Sequence, residues 1–164
     1  AVGALIQAAA AKNAVPVTLE LGGKNPQLVF DDADLDAALP FLVNAGIQNA
    51  GQTCSAASRI LVQRGVFDEV ARRMAERYRA LRVGPALDDP DVGPVISARQ
   101  RDMVNGYLAL ATASSSERGV QVLAQPALPQ GPGYWVAPTL IAGTALEQGA
   151  HRLAQEEIFG PSAA

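Results

Sequence analysis

The stretch Val15-Pro16-Val17-Thr18-Leu19-Glu20-Leu21-Gly22-Gly23 joins an apolar run to a pair of glycines and carries one carboxylate near its end. Such a run predicts a short buried strand from Val15 to Leu21, which Gly22-Gly23 ends. Residues 3–12 are rich in alanine and predict a helix immediately before this strand. A helix that leads into a buried strand is typical of a sheet with helices packed on its faces.

The rest of the chain continues this alternation of helices and strands. Pro40 predicts a kink or a late start in one helix, because proline removes a main-chain hydrogen bond. Residues 114–119 predict a turn. The pattern indicates an α/β fold with a largely parallel sheet flanked by helices. Further strands are predicted at residues 27–30, 60–63, 120–123 and 136–141, and helices at 35–49, 66–82 and 98–114.

Composition narrows the class of protein. The chain has 164 residues, of which 49% are hydrophobic and 18% charged, which is enough for a folded core. A formal charge of −3 and the absence of a basic run argue against a nucleic-acid partner. No apolar run is long enough to cross a membrane. A single cysteine excludes an intramolecular disulfide, so we expect a cytoplasmic protein. One cysteine and one histidine also argue against a metal site.

Cys54 is the only cysteine and lies among small and polar residues in Gly51-Gln52-Thr53-Cys54-Ser55. Such a thiol can act as a nucleophile, and a helical turn at Ser55–Ser58 would lower its pKa and offer N–H groups to an oxyanion. The alternative is a buried structural thiol. The only histidine, His151, is expected at the surface rather than beside Cys54 as the base of a cysteine hydrolase.

Glu20 is the remaining candidate for a general base. At the end of an apolar strand, burial would raise its pKa toward neutrality. The alternative is a carboxylate paired with Lys24 or an arginine. A third segment, Glu156 to Pro161, sets an acid beside an aromatic ring and a Gly-Pro pair. It could bind a sugar hydroxyl and support a flat ring, or it could be a turn with two carboxylates.

Taken together, three ordered segments resemble the motifs of the NAD(P)-dependent aldehyde dehydrogenase superfamily. Glu20 to Pro26 resembles the general-base motif, Asn49 to Cys54 the nucleophile motif, and Glu156 to Pro161 the cofactor-ribose motif. The resemblance covers essentially the whole chain. It implies a parent enzyme that oxidises a small-molecule aldehyde to a carboxylic acid with NAD or NADP, and that forms a homo-oligomer, either a dimer or a tetramer.

The resemblance also implies a role for each site residue. Cys54 would attack the aldehyde, and Glu20 would activate the water that hydrolyses the resulting thioester. Glu157 would bind the nicotinamide ribose and Phe159 would pack near the nicotinamide. Leu21 and Gly22 would line the nicotinamide side of the site.

The same comparison sets expectations for domain organisation. Residues 1–22 would be the C-terminal remnant of a dinucleotide-binding domain, and residues 23–164 a catalytic domain that is incomplete at its C-terminus, so the fold would be truncated at both ends. A small insertion is expected around residues 111–132. Three alternatives stay open: an inactive piece that serves only in folding or assembly, a relative that transfers the acyl group to coenzyme A, and a thiol esterase.

Overall fold

The computed structural model describes residues 2–113, 119–147, 149 and 151–164. Helices and strands alternate, as the sequence pattern predicts, only up to residue 80, after which successive helices and successive strands also occur. Short 3-10 turns occur at Gln48–Gly51, Arg64–Val66 and Ala86–Asp88. In chain order, the elements are α1 (Val2–Ala11), β1 (Pro26–Val29), α2 (Leu35–Ile47), β2 (Arg59–Val62), α3 (Phe67–Ala80), α4 (Ala98–Ala113), β3 (Gln121–Ala124), β4 (Thr139–Ala142), α5 (Thr144–Glu147), α6 (Arg152–Gln155) and β5 (Ser162–Ala163).

The strands form one short parallel pair and one three-stranded sheet. β1 pairs with β2 in parallel, and β4 pairs in parallel with β5 and antiparallel with β3. Two main-chain hydrogen bonds connect the groups: Ile60 N–H donates to the Ala164 oxygen (2.8 Å), and Ala164 N–H donates to the Ser58 oxygen (3.0 Å). The strands therefore lie in the order β1-β2-β5-β4-β3, parallel except for β3. This arrangement places β5, which follows residues 156–161, beside β2, which follows Cys54.

The strand predicted from Val15 to Leu21 is wrong. Residues 15–25 form neither helix nor strand, and Val15 and Leu21 are each 56% exposed. A strand needs a neighbouring strand for its main-chain hydrogen bonds, and none of the described residues pairs with this segment. Instead, the segment folds back on α1, where the side chains of Leu19 and Leu21 lie against Gly3.

The helices mostly follow the sequence prediction. α2 begins at Leu35, because the Asp34 carboxylate accepts hydrogen bonds from the Asp36 and Ala37 N–H groups (3.0 and 3.1 Å). The late start considered for Pro40 is therefore wrong, and the proline lies within the helix. The predicted turn at residues 114–119 falls outside the described residues except at Gly119.

The core lies between the sheet and helices α2, α3 and α4. The buried stripe of α3 follows the three- and four-residue spacing of its apolar side chains, and Val70, Met74 and Tyr78 are each at most 2% exposed. On α4, Val104 is fully buried and faces residues 156–161 rather than the sheet alone. Among the described residues, no helix has the length and apolar character to cross a bilayer.

Candidate functional site

The loop that carries Cys54 begins with a left-handed turn. Helix α2 stops at Ile47, and Asn49, Ala50 and Gly51 adopt φ values of 53°, 53° and 71°. Left-handed backbone costs roughly 1–2 kcal/mol for a residue with a side chain, so other contacts must hold the turn. Asn49 Nδ2 donates to the Gln52 oxygen and Gln52 Nε2 donates to the Asn49 oxygen, each at 3.0 Å. Strain of this kind is often stored at functional sites.

Gly51 brings the Cys54 loop against the segment that contains Glu157. A Cβ at Gly51 would overlap the main chain of Gly160 and Pro161. Only glycine combines this close approach with a positive φ at no steric cost. The nucleophile motif and the cofactor-ribose motif therefore meet backbone to backbone at this glycine.

Gly51→Ala is expected to destabilise the chain by about 3 kcal/mol, from the left-handed φ together with an overlap that neighbouring main chain cannot relieve. Gly149→Ala is the matched control, because Gly149 has a φ of 66° and none of the described residues has an atom near its Cβ position. That control should cost only about 1 kcal/mol, for the backbone alone. Urea denaturation of both variants measures the difference, and equal costs would show that the Gly51 contact is unimportant.

Cys54 is exposed, so a buried structural thiol is excluded. The helical turn predicted at Ser55–Ser58 is wrong: the turn here is centred on Cys54 and Ser55, with Ala56 N–H donating to the Thr53 oxygen (3.1 Å), and residues 56–58 are irregular. The Cys54 carbonyl accepts a hydrogen bond from Asn25 Nδ2 (2.6 Å). Since Asn25 lies in the segment Glu20 to Pro26, this bond joins the general-base motif to the nucleophile motif.

Glu20 is exposed in the irregular segment between α1 and β1. The predicted burial of its side chain is therefore wrong in this chain, because the strand that would have enclosed it does not form. Among the described residues, no hydrogen bond or ion pair of the Glu20 carboxylate is found, so pairing with Lys24 or an arginine is not observed either. Its carboxylate is free to reach a solvent molecule.

Glu157 and Phe159 are exposed on either side of the buried Ile158. Glu156 has extended dihedral angles (φ −93°, ψ 143°), and side chains alternate along extended backbone. Ile158 accordingly points inward at 3% exposure, while Glu157 and Phe159 are exposed. The Glu157 carboxylate lies directly over Gly22, where a Cβ would overlap it. The structure thus brings Glu157 and Gly22 together, as the resemblance implies, whereas Leu21 turns toward α1.

A small cavity lies where the three motifs converge. Its volume is about 10 Å³, and its lining includes Gly23, Thr53, Glu157, Phe159 and Ser162. A larger groove of about 710 Å³ lies along β1 and β2 but is lined by none of the six predicted site residues. In the described parts of the chain, no cluster of side chains has the composition of a metal site. The convergence of motifs, rather than groove size, therefore marks the candidate site.

Lys24 is a site residue that the sequence reasoning treated only as a possible partner of Glu20. The pKa of its ammonium group is lowered from 10.5 to about 8, first by burial and next by the nearby Arg59 charge, while the Glu157 carboxylate raises it. The sequence feature that could have indicated this role is the position of Lys24 directly after Gly22-Gly23. At these glycines the main chain passes beneath Glu157. Lys24 and Glu157 therefore share one electrostatic environment.

The Lys24 side chain should titrate with a midpoint near pH 8. NMR of reductively methylated protein can follow it, because Lys12 and Lys24 are the only lysines and Lys24→Met assigns the signal. Glu157→Gln should move the midpoint to lower pH, since the carboxylate favours the charged ammonium. A midpoint that stays the same in that variant would show that the two groups do not interact.

Comparisons with known proteins identify the family of this chain. The model of the aldehyde dehydrogenase family matches residues 1–164. Betaine aldehyde dehydrogenase of Rhizobium leguminosarum is 38% identical over 97% of this chain and 32% of its own length, and lactaldehyde dehydrogenase of Escherichia coli is 37% identical with the same coverage. The chain thus spans about a third of the curated relatives it matches.

Solved structures give the same result. A betaine aldehyde dehydrogenase of Staphylococcus aureus, crystallised with NAD⁺, is 36% identical with a TM-score of 0.84 over 99% of this chain and 32% of its own. An aldehyde dehydrogenase of Bacillus cereus, an E194S mutant, is 30% identical with a TM-score of 0.87 over the same shares. The α/β fold and the converging motifs of the present chain, together with these matches, show that it belongs to the aldehyde dehydrogenase family.

Proposed function

We propose that this chain is the catalytic segment of a longer enzyme that oxidises an aldehyde to a carboxylic acid with NAD or NADP. The observation that carries the proposal is the convergence of three motifs that are far apart in the sequence. Asn25 binds the Cys54 carbonyl (2.6 Å), Glu157 lies over Gly22, and Gly51 packs against Gly160. A thiol, an irregular segment that carries a carboxylate, and an exposed acid beside an aromatic ring thereby share one site.

The residues present fit the nicotinamide end of the cofactor. An exposed carboxylate such as Glu157 can accept hydrogen bonds from ribose hydroxyls, and the half-exposed ring of Phe159 offers a flat surface. The Glu157 carboxylate occupies the space that a side chain at Gly22 would take. Glu157, Phe159 and Gly22 would hold this end of the cofactor, which when bound supplies the hydride acceptor.

The chemistry of the chain's own residues follows from their types. The Cys54 sulfur, as thiolate, attacks the aldehyde carbon and forms a C–S bond, which gives a thiohemiacetal. Loss of hydride from that carbon leaves a thioester on Cys54. Glu20 takes a proton from water, the water oxygen attacks the thioester carbon, and the acid leaves as the Cys54 thiolate is restored. The exposure of Glu20 allows its carboxylate to reach this water.

The domain assignment belongs to the same proposal. Residues 1–22 would close a dinucleotide-binding domain, and residues 23–164 would form most of the catalytic domain. The whole enzyme would act in the cytoplasm as a homo-oligomer. For the 164-residue chain by itself we expect little or no cofactor binding, since it spans only a third of its relatives.

An assay of the full-length protein tests the proposal. Aldehydes such as those named for the relatives, betaine aldehyde and lactaldehyde, are supplied with NAD⁺ or NADP⁺, with and without coenzyme A. Free carboxylic acid formed without coenzyme A is the expected result, because Glu20 is present to activate water. Strict dependence on coenzyme A would place the protein with acyl-transferring relatives, and no reduction of either cofactor would reject the proposal.

A further inference from the structure

Helix α4 holds the segment Glu156–Gly160 at three points along one of its faces. Gln100, Val104 and Tyr107 are spaced by four and three residues, so they lie on the same side of the helix. Gln100 Nε2 donates to the Phe159 oxygen (2.7 Å), and Val104 packs so tightly on Gly160 that a Cβ there would overlap it. These two contacts secure the end of the segment at which Phe159 takes a left-handed φ of 57°.

The third point secures the other end through Glu156. Tyr107 Oη donates to Glu156 Oε2 (2.6 Å), while Arg152 Nε donates to Oε1 (2.6 Å) and Nη2 to Oε2 (2.9 Å). The Arg152 guanidinium also lies 5.1 Å from the centre of the Tyr107 ring. Tyr107, Arg152 and Glu156 form a closed cluster that we call the Glu156 lock.

The Glu156 lock keeps one protonation state at neutral pH. Hydrogen bonds from Arg152, and next from Tyr107, lower the pKa of Glu156 to about 2. The hydrogen bond to Glu156 raises the pKa of the Tyr107 hydroxyl. A bidentate arginine with a second donor is a geometrically specific arrangement, unlike an ordinary surface ion pair.

The neighbours of the lock explain why its effect would reach the cofactor site. Leu153 is fully buried, and the short helix α6 is capped by His151 Nδ1, which accepts from Leu153 N–H (3.2 Å). Glu156 N–H donates to the Arg152 oxygen (2.8 Å) and ends that helix. The main chain immediately before Glu157 is therefore held in place by helix α6. How far the Glu157 backbone can move depends on the contacts of Glu156.

We propose that Tyr107 and Arg152 are positioning residues that, through Glu156, set the place of the Glu157 carboxylate over Gly22 and so control affinity for the cofactor ribose. The proposal rests on the proposed function, because it assigns Glu157 to the ribose. Neither residue touches the reacting atoms. Removing the lock should weaken cofactor binding while the chemistry at Cys54 proceeds at its usual rate.

Kinetics of the full-length enzyme test the proposal with three variants, Tyr107→Phe, Glu156→Gln and the double variant. Each single change should raise the KM for NAD⁺ by about threefold to tenfold, while kcat stays within about twofold of the wild-type value. The expected rise corresponds to part of the free energy that a hydrogen bond to a charged group contributes. The double variant should be no worse than Glu156→Gln alone, because Tyr107 is proposed to act only through Glu156. Multiplying effects, or an unchanged KM, would overturn the proposal. Tyr134→Phe makes the same chemical change at an exposed tyrosine and should leave the kinetics unchanged.

Hydrogen exchange provides a readout that does not need activity. Tyr107→Phe should speed amide exchange in peptides covering residues 153–160, and Tyr134→Phe should not. If amide exchange in residues 153–160 of Tyr107→Phe were unchanged, the proposal would be overturned, whether or not the enzyme is active. A wild-type enzyme that reduces neither cofactor would reject the proposed function first, and with it the assignment of the lock to cofactor binding. In an active enzyme, faster exchange without a change in KM would reject the lock alone.

Discussion

Replacing Cys54 by alanine is expected to abolish aldehyde oxidation by the full-length enzyme, with kcat reduced by at least about 10³-fold. The reason is that no other side chain of this chain can form the covalent intermediate, since Cys54 is the only cysteine. Stopped-flow absorbance of NADH measures the effect. Neither a burst nor a steady-state rate should remain.

The controls for this variant come from the geometry of the loop. The thiol is exposed, and the described hydrogen bond at Cys54 uses the main-chain oxygen, which alanine keeps. Cys54→Ala should therefore retain the melting temperature and the NAD⁺ affinity of the wild-type enzyme. Substantial turnover in the variant would contradict the assignment of Cys54 as nucleophile.

Replacing Glu20 by glutamine should separate the two halves of the reaction. Attack by Cys54 and loss of hydride do not use the carboxylate, so one equivalent of NADH per active site should still appear in a burst. Hydrolysis of the thioester should then slow by about 10²–10⁴-fold, the usual contribution of a general base. Rapid-quench mass spectrometry should detect the acyl group on Cys54.

Two further observations make the Glu20 experiment decisive. An added thiol nucleophile should release the acyl group and restore part of the turnover, because it does not need a base for its attack. Glu147→Gln is a suitable control, since Glu147 is an exposed carboxylate that forms an ion pair with the exposed Arg64 (3.8 Å). Loss of the burst together with the steady-state rate would mean that Glu20 acts before hydrolysis, and would contradict the proposed role.

The agreement between sequence and structure is best where the signal is local. The stripe on α3 and the Asp34 cap of α2 both depend on residues within one or two helical turns, and both form as their spacing predicts. The order of the three motifs is also read directly from the chain. A thiol, a nearby acid and a second acid beside an aromatic ring are recognisable as chemistry before any contact between them is known.

Predictions fail where they need a distant partner. The apolar composition of residues 15–21 is that of a strand, but a strand forms only when another pairs with it, and Glu20 is consequently exposed rather than buried. Gln100 and Tyr107 look like ordinary polar residues of a helix in the sequence. Their importance comes from hydrogen bonds to Phe159 and Glu156, which lie 59 and 49 positions away.

The sequence by itself therefore determined the fold class, most of the helices and the types of reacting group, because helix periodicity, capping and the chemistry of side chains are local properties. Only the tertiary structure decided that Asn25 binds the Cys54 carbonyl, that Glu157 lies over Gly22, and that α4 supports the segment beside it. These contacts depend on the path of the main chain between residues far apart. Hydrogen-bond distances and the close approach of glycine backbones are set only when that path is complete.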